Sequence, residues 1–273
     1  MHTHPSFRET FGAPRALIGM IHVGALPGTP ASRCSLDQIV FEAVEEARVF
    51  HTAGYTALMI ENMHDRPYLN GAVGPEVVAG MTAVAREIRR QVPLPLGVQV
   101  LAGANREAIA VAHSSGASFV RAEGFVFAHV ADEGVIESCA GDLLRYRRSI
   151  GAEDVRVYVD IKKKHSAHAI TADVPLAETA RAAEFFLADG VIVTGTATGA
   201  AAEQSDVEEV ADAVKLPVFV GSGLSPDNVA RYSRAQGFIV GSSIKQGGHW
   251  SHALDPGAVR AMAAAFQALE GAR

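Results

Sequence analysis

Charged side chains spaced two residues apart end two short apolar segments of this 273-residue chain. Arg121 and Glu123 form one pair, and Asp160 and Lys162 form the other. In an extended strand every second side chain points to the same face, so each pair is expected to project together. A carboxylate can act as a general acid or base, and a neighbouring cation can stabilise negative charge that develops on an oxygen. The spacing therefore predicts that these four residues are catalytic.

Other polar residues end neighbouring predicted strands. His22 and Glu61 are further catalytic candidates, and Gln99 and Lys163 are candidates for binding substrate. Because strand residues alternate in direction, only one of Glu61 and Asn62 faces the site. If the strand of Asp160 and Lys162 ends one residue earlier, Lys163 stabilises the developing negative charge in place of Lys162. An alternative stays open, because buried ion pairs or single hydrogen-bonded polar side chains are also common between strands.

Two glycine-serine turns near the C-terminus predict a phosphate-binding site. Each follows a short apolar run, and their residues are Gly221, Ser222, Gly223, and Gly241, Ser242, Ser243. Glycine lets the backbone approach an oxyanion closely, and Ser225 is a helix-start signal whose helix would add free amide donors. Thr194, Gly195 and Lys245 are expected to take part in the same site. The alternatives are that the turns close ordinary loops and that Lys245 is solvated.

Apolar segments rich in Val and Ile alternate eight times with segments of helical periodicity, which favours a parallel sheet. Eight units predict a (β/α)8 TIM barrel over residues 15–273, with residues 1–14 as an N-terminal extension, and such barrels place their chemistry at the carboxyl ends of the strands. The predicted strands are residues 16–23, 56–62, 95–101, 118–124, 156–161, 191–195, 217–221 and 238–242. A doubly wound open sheet is the alternative, but no GxGxxG motif follows the first strand.

Composition excludes several classes of partner. The net charge of −6, with residues 162–164 as the only basic run, gives no surface for nucleic acid. The chain has no uninterrupted apolar stretch of about 18 residues, so no transmembrane helix is predicted. Cys34 and Cys139 form no CxxC motif, which suits a reducing compartment. We therefore expect a cytoplasmic protein, and we expect a homo-oligomer because barrels often pair through exposed helices.

Metal binding is the weaker hypothesis. His165 and His168 are three residues apart, a spacing that could place two imidazoles on one helical face, but no third ligand lies nearby in the sequence. Asp160 and Glu123 could instead hold a divalent cation together with a substrate phosphate. No protein metal site and no cofactor are predicted, apart from a divalent cation, which the sequence leaves open.

Several segments together resemble the BtpA/SgcQ family. The most specific are IGMIHVGALPG at residues 18–28 and DIKKKH at residues 160–165, and others are FVRAE at 119–123 and GSSIK at 241–245. The resemblance runs from about residue 15 to the C-terminal helix. It implies a TIM barrel similar to phosphate-binding barrels. One branch of the family is associated with photosystem I biogenesis, and other members look like metabolic enzymes.

Two functions follow as hypotheses. The first is an enzyme, a lyase, isomerase or hydrolase, that acts by acid-base chemistry on a phosphorylated small molecule such as a sugar phosphate, a phosphoribosyl compound or a nucleoside-like compound. A lysine could serve as a cation or form a Schiff base with a carbonyl substrate, and the sequence leaves both open. The second is a non-enzymatic assembly or stability factor, such as one for photosystem I.

Overall fold

The computed structural model describes residues 5–195 and 197–271. Within them, eight parallel strands close into a barrel in the order β1, β2, β3, β4, β7, β9, β10, β11 and back to β1. The strands are β1 Ala16–His22, β2 Ala57–Glu61, β3 Leu96–Gln99, β4 Phe119–Ala122, β7 Arg156–Ile161, β9 Gly190–Val193, β10 Val218–Val220 and β11 Gly237–Val240. The predicted TIM barrel is confirmed, and each strand agrees with its predicted range to within two residues at either end.

Helices cover the outside of the barrel, each after its strand. They are α2 Leu36–Thr52, α3 Pro75–Gln91, α4 Asn105–Ser115, α5 Ala140–Ser149, α6 Leu176–Phe185, α7 Gln204–Ala213 and α8 Pro256–Gly271. Their apolar stripes pack on the strand residues that point outward, such as Val120 and Val159. This pattern is what an amphipathic helix on a parallel sheet requires.

The predicted α-helix at Ser225 is wrong. Between β10 and β11 the described chain has a three-residue 3-10 helix, Val229–Arg231. The Asn228 side chain organises this connection, because its Oδ1 accepts from the Ser225 amide and its Nδ2 donates to the Gly223 carbonyl. Asn side chains commonly close turns in this way. The dipole of a long helix is therefore not available at the first glycine-serine turn.

A small second sheet joins two loops at the carboxyl end of the barrel. Its strands are β5 His129–Ala131 and β6 Gly134–Ile136, which follow β4, and β8 Ser166–Ala167, which follows β7. β5 pairs antiparallel with both others. Because β8 is tied to β5, the four residues between β7 and β8 are fixed at both ends.

A short helix closes the opposite end of the barrel. Helix α1, Pro5–Phe11, lies within the predicted N-terminal extension, and its Phe7 is fully buried. The Phe7 ring lies 5.6 Å from the Phe219 ring, and the Phe11 ring lies 5.4 Å from the Phe119 ring. These rings join inward-facing strand residues in one apolar cluster. The helix therefore belongs to the barrel core.

We predict that Phe7→Ala destabilises the protein by about 3–5 kcal/mol, because it removes a fully buried aromatic ring and leaves a cavity in the barrel. The matched control is Phe185→Ala, since Phe185 is 81% exposed and its truncation should change stability by less than about 0.5 kcal/mol. Chemical denaturation of both variants measures the difference. Equal stabilities would contradict a role for α1 in the core.

Candidate active site

Strand register brings the polar side chains of β1, β2 and β3 to one level at the carboxyl end. His22 pairs with Glu61, and Glu61 pairs with Gln99, in the parallel ladders. Glu61 is 8% exposed and follows the inward-facing Met59. Asn62 instead accepts from the Leu101 amide and so organises a loop. Glu61 is therefore the inward-facing member of that pair.

The predicted charged residues of β4 and β7 form a buried ion pair. Arg121 binds Asp160 through two nitrogens, with Nη2 2.9 Å from Oδ1 and Nε 3.0 Å from Oδ2. Both side chains are almost fully buried. A bidentate guanidinium-carboxylate pair is the strong form of this interaction. Asp160 is thereby occupied by a cation at the centre of the barrel mouth.

Glu123 lies beside a second cation. Its Oε2 is 3.2 Å from Lys163 Nζ, and its Oε1 accepts from Gln99 Nε2 at 3.2 Å. The side chain of Asn105 holds the backbone of Glu123, since Nδ2 donates to its carbonyl and Oδ1 accepts from its amide. Burial raises the pKa of Glu123, and the Lys163 charge opposes that rise. Gln99, Glu123 and Lys163 therefore form one connected group.

The expectation that Lys162 faces the barrel mouth is wrong. Strand β7 ends at Ile161, and Lys162 adopts a positive φ of 50°, which breaks the alternation of the strand. Its Nζ donates to the Val174 carbonyl at 2.7 Å, on the loop before α6. The lysine that enters the mouth is Lys164, which lines the pocket described below.

Sequence reasoning missed Lys164 as a site residue. Two non-glycine residues with positive φ, Lys162 and His165, flank it, and such backbone conformations are concentrated at functional sites. Burial lowers the pKa of Lys164, and Arg121 lowers it further, while Glu61 opposes the change. The available signal was the run of three lysines directly after a strand that contributes an inward-facing carboxylate.

The central pocket at the carboxyl end, here called the mouth pocket, collects side chains from opposite sides of the barrel. It is lined by Met20, His22, Glu61, Met63, Arg121, Lys164, Thr198, Gly199, Gly221, Ser222, Gly223, Ile239, Gly241 and Ser242. Both glycine-serine turns therefore border the same pocket as the titratable groups. Asp160, Glu123, Lys163 and Gln99 lie outside its lining, and of these Asp160 holds Arg121, which is part of the lining.

His22 is held as a neutral ring. Its Nδ1 lies 2.9 Å from the Trp250 carbonyl, which can only accept, so Nδ1 carries the proton and Nε2 keeps a lone pair. Burial lowers the pKa of His22 to about 3, and the charge of Lys245 acts in the same direction. The Nε2 atom is 3.9 Å from Glu61 Oε2. Burial raises the pKa of Glu61, which Lys164 and Arg121 oppose.

The first glycine-serine turn packs tightly against the loop that follows β9. Gly223 has a φ of 63°, and a Cβ there would lie 2.2 Å from the Ala201 nitrogen. The Ser222 hydroxyl accepts from the Gly195 amide and donates to the Ala200 carbonyl. Gly223 and Ser222 thus have a packing role that the sequence did not indicate. The amides of Gly223 and Ser242 donate to no atom of the residues that the structure describes.

Four predicted phosphate ligands are absent from the lining of the mouth pocket. Lys245 Nζ contacts Glu46 of α2 at 2.6 Å, so its charge is already paired outside the barrel. Thr194 and Gly195 line a neighbouring cleft beside α6 and α7. Ser243 has a buried hydroxyl with no partner among the described residues, and it does not line the mouth pocket.

The two histidines considered as metal ligands point to different partners. His165 Nε2 lies 2.8 Å from Thr198 Oγ1, and His168 Nε2 lies 2.9 Å from the Lys163 carbonyl. Across residues 5–195 and 197–271, no group of three or more His, Cys, Asp or Glu residues could hold a metal ion. Asp160 and Glu123 each lie against a cation, which does not favour the divalent-cation hypothesis.

Comparison with known proteins settles the family. A sequence model of the BtpA family matches residues 13–268, which is most of the chain. The chain belongs to the BtpA family. A Caenorhabditis elegans relative whose name places it in the mitochondrion is 47% identical over 248 residues, covering 89% of this chain and 90% of the relative. The photosystem I biogenesis protein BtpA of Synechocystis is 34% identical over 250 residues, covering 91% and 86%.

Solved structures share the fold of this BtpA family member. A geranylgeranylglyceryl phosphate synthase from Thermoplasma acidophilum, in complex with sn-glycerol-1-phosphate, has a TM-score of 0.60 at 13% identity, with 95% of this chain and 96% of that chain covered. An orotidine 5'-monophosphate decarboxylase from Methanocaldococcus jannaschii has a TM-score of 0.58 at 11% identity, with 92% and 98% covered. At these identities the likeness shows the barrel fold alone.

Every helix of the described chain is too short or too polar to span a bilayer. The predicted cytoplasmic location and the predicted homo-oligomer stay predictions.

We predict that His22 lowers the stability of the folded protein as the pH is lowered from about 6.5 towards 3. The folded-state pKa of about 3 lies below the ordinary value of 6.5, so the unfolded chain binds more protons between these values. The contribution of His22 is therefore complete above about pH 6.5 and is lost as pH falls towards 3, by at most about 1.4 kcal/mol per pH unit. The matched variant His22→Asn keeps a donor for the Trp250 carbonyl but cannot titrate. Urea denaturation at several pH values should show wild type losing stability relative to the variant as pH falls, whereas a difference independent of pH would contradict this account.

Proposed function

We propose that this member of the BtpA family is an enzyme that acts by acid-base chemistry on a small phosphorylated metabolite in the mouth pocket. The observation that carries the proposal is the joint lining of one pocket by two glycine-serine turns, two basic side chains and a carboxyl-imidazole pair. A sugar phosphate, a phosphoribosyl compound or a nucleoside-like compound has both an anion for the turns and polar groups for the acid-base pair.

The phosphate is expected beside Gly223 and Ser242. Their amides are available as donors, and Arg121 and Lys164 line the same pocket. Oxyanions favour backbone amides and nearby cations, particularly where water is excluded. The barrel neighbours are consistent with this, since one was solved with sn-glycerol-1-phosphate bound. The helix dipole expected at Ser225 is absent from the described chain, so side-chain cations must carry more of the charge stabilisation.

His22 and Glu61 supply complementary proton chemistry. Burial raises the pKa of Glu61, which favours the protonated acid, while neutral His22 presents a lone pair on Nε2. One group can donate a proton and the other can accept one, across a distance of 3.9 Å. Groups whose environments push their pKa values in opposite directions are typical of acid-base sites. Isomerase, lyase and hydrolase chemistry all use such a pair.

A non-enzymatic assembly role is the second candidate, and the name of the Synechocystis relative favours it. A scaffold would have no use for a mouth that buries Arg121, Asp160, Glu61 and Glu123, because burying charged groups is costly even when they are paired. We therefore place the enzyme proposal first. Retention of cellular function by Glu61→Gln would favour the assembly role.

Thermal-shift measurements with inorganic phosphate, glycerol 3-phosphate and ribose 5-phosphate test the phosphate site. A ligand that binds only the folded state raises the melting temperature by mass action. Ser242→Asp places a carboxylate in the pocket lining and should weaken binding at least about tenfold, which corresponds to about 1.4 kcal/mol. Ser242→Asn, of nearly equal size and neutral, is the matched control and should retain the shift.

The thermal shifts of the wild type and the two Ser242 variants show whether the anion binds in the mouth pocket. A shift in wild type and Ser242→Asn that is lost in Ser242→Asp supports phosphate binding in the mouth pocket. An equal shift in all three proteins places the anion elsewhere. No shift with any of the three ligands contradicts the proposal.

A further inference from the structure

An ion pair or a side-chain hydrogen bond occupies every lysine of this chain except two. The chain has five lysines, of which Lys163 contacts Glu123, Lys245 contacts Glu46, and Lys162 donates to a carbonyl. Lys215 is exposed at the other end of the barrel, before β10. Lys164 remains, and its side chain makes no ion pair or hydrogen bond with any residue between 5–195 or 197–271.

Lys164 lines the mouth pocket together with Glu61, the other group there without a close ionic partner. Arg121 is neutralised by Asp160, and Lys163 lies against Glu123, so Glu61 and Lys164 are the carboxyl and amine left facing the pocket. Burial and the charge of Arg121 both lower the pKa of Lys164. Both effects favour the neutral amine, which is the nucleophilic form.

We propose that Lys164 forms an imine with the carbonyl carbon of a phosphorylated aldehyde or ketone, with Glu61 as the proton donor. This inference rests on the proposed function, because the phosphate is what holds the carbonyl carbon against the amine. It narrows the substrate class from phosphorylated metabolites in general to those that carry an aldehyde or ketone.

The imine forms with Lys164 and Glu61 as the only protein groups that react. The lone pair of Lys164 Nζ forms a bond to the carbonyl carbon, and the carbonyl oxygen takes one of the two amine protons to give a neutral carbinolamine. Glu61 then protonates the hydroxyl, the carbon-oxygen bond breaks, and water leaves. The products are a protonated imine, a water molecule and the Glu61 carboxylate. The new positive charge is formed close to the new negative charge, which stabilises both.

The supporting geometry is the short connection that carries Lys164. Residues 162–165 are held between β7 and β8, and two positive φ values fold them into a turn. His165 is tied further to the loop that follows the neighbouring strand β9, because its Nε2 accepts from the Thr198 amide at 2.9 Å. A nucleophile held on both sides does not have to be ordered when substrate arrives, which lowers the entropic barrier.

Reductive trapping tests the proposal. The full-length protein is incubated with dihydroxyacetone phosphate or with glyceraldehyde 3-phosphate in the presence of sodium cyanoborohydride, which reduces an imine to a stable secondary amine. Intact mass and peptide mapping then report how many lysines are modified and which ones. We expect one adduct per chain, on Lys164, and we expect inorganic phosphate in excess to suppress it at least tenfold.

Two variants make the test specific. Lys164→Arg removes the primary amine and places a permanent cation in the pocket, so it should lose the adduct and still show a thermal shift with phosphate, which also shows that it folds. Lys215→Arg changes the exposed lysine and should leave the amount of adduct unchanged.

Each result decides the matter. An adduct on Lys164 that phosphate suppresses and Lys164→Arg abolishes establishes the imine. A phosphate-dependent thermal shift with no Lys164 adduct from either compound overturns the imine while the proposed function stands. Adducts spread over several lysines, unaffected by phosphate, also overturn it. Absence of both the thermal shift and the adduct defeats the proposed function and this inference together.

Discussion

The buried pair between Arg121 and Asp160 is the interaction on which the arrangement of the barrel mouth depends. It links the neighbouring strands β4 and β7 by two charge-assisted hydrogen bonds. Removing one partner of such a pair costs about 3–5 kcal/mol, because the other charge is left buried and uncompensated. The pair also decides which groups remain reactive, since Asp160 is neutralised and Arg121 is fixed at the wall of the mouth pocket.

The remaining charges follow from that pair. Lys163 and Glu123 satisfy each other beside it, and Gln99 completes their group. Glu61 and Lys164 are then left without a close ionic partner, at the level of neutral His22. The same burial that makes charge expensive here favours the neutral form of both Glu61 and Lys164. A mouth with balanced charges and two groups whose neutral forms are favoured by burial suits proton transfer better than one with exposed, fully ionised groups.

The sequence was sufficient to predict the barrel and to predict which side chains of its strands point inward. The two-residue periodicity of a strand predicted that Arg121 and Asp160 point inward and that Val120 and Val159 point outward. This works because strand geometry fixes the side-chain direction at each position within a strand. Alternation fails where the strand ends, and it therefore could not distinguish Lys162 from Lys164. Lys162, at the first position of the turn, has a left-handed backbone conformation, and its side chain therefore does not point in the direction that alternation predicts.

Long-range contacts explain the other differences. Lys245 is paired with Glu46, which lies 199 positions away in the chain, and no local pattern reports such a partner. The glycines of the first glycine-serine turn were predicted to let an oxyanion approach the backbone, whereas at Gly223 the group in close contact is the backbone of Ala201. The Ser225 signal is genuine as a turn, and Asn228 closes it before an α-helix can begin. Tertiary contacts of this kind override local preference.

A crystal structure of the protein with dihydroxyacetone phosphate bound tests the phosphate site and the imine together. We expect phosphate density beside the amides of Gly223 and Ser242, with the carbonyl carbon within bonding reach of Lys164 Nζ. Density for the ligand in another cleft, or a mouth pocket that stays without ligand while Lys164 turns to solvent, would contradict this expectation.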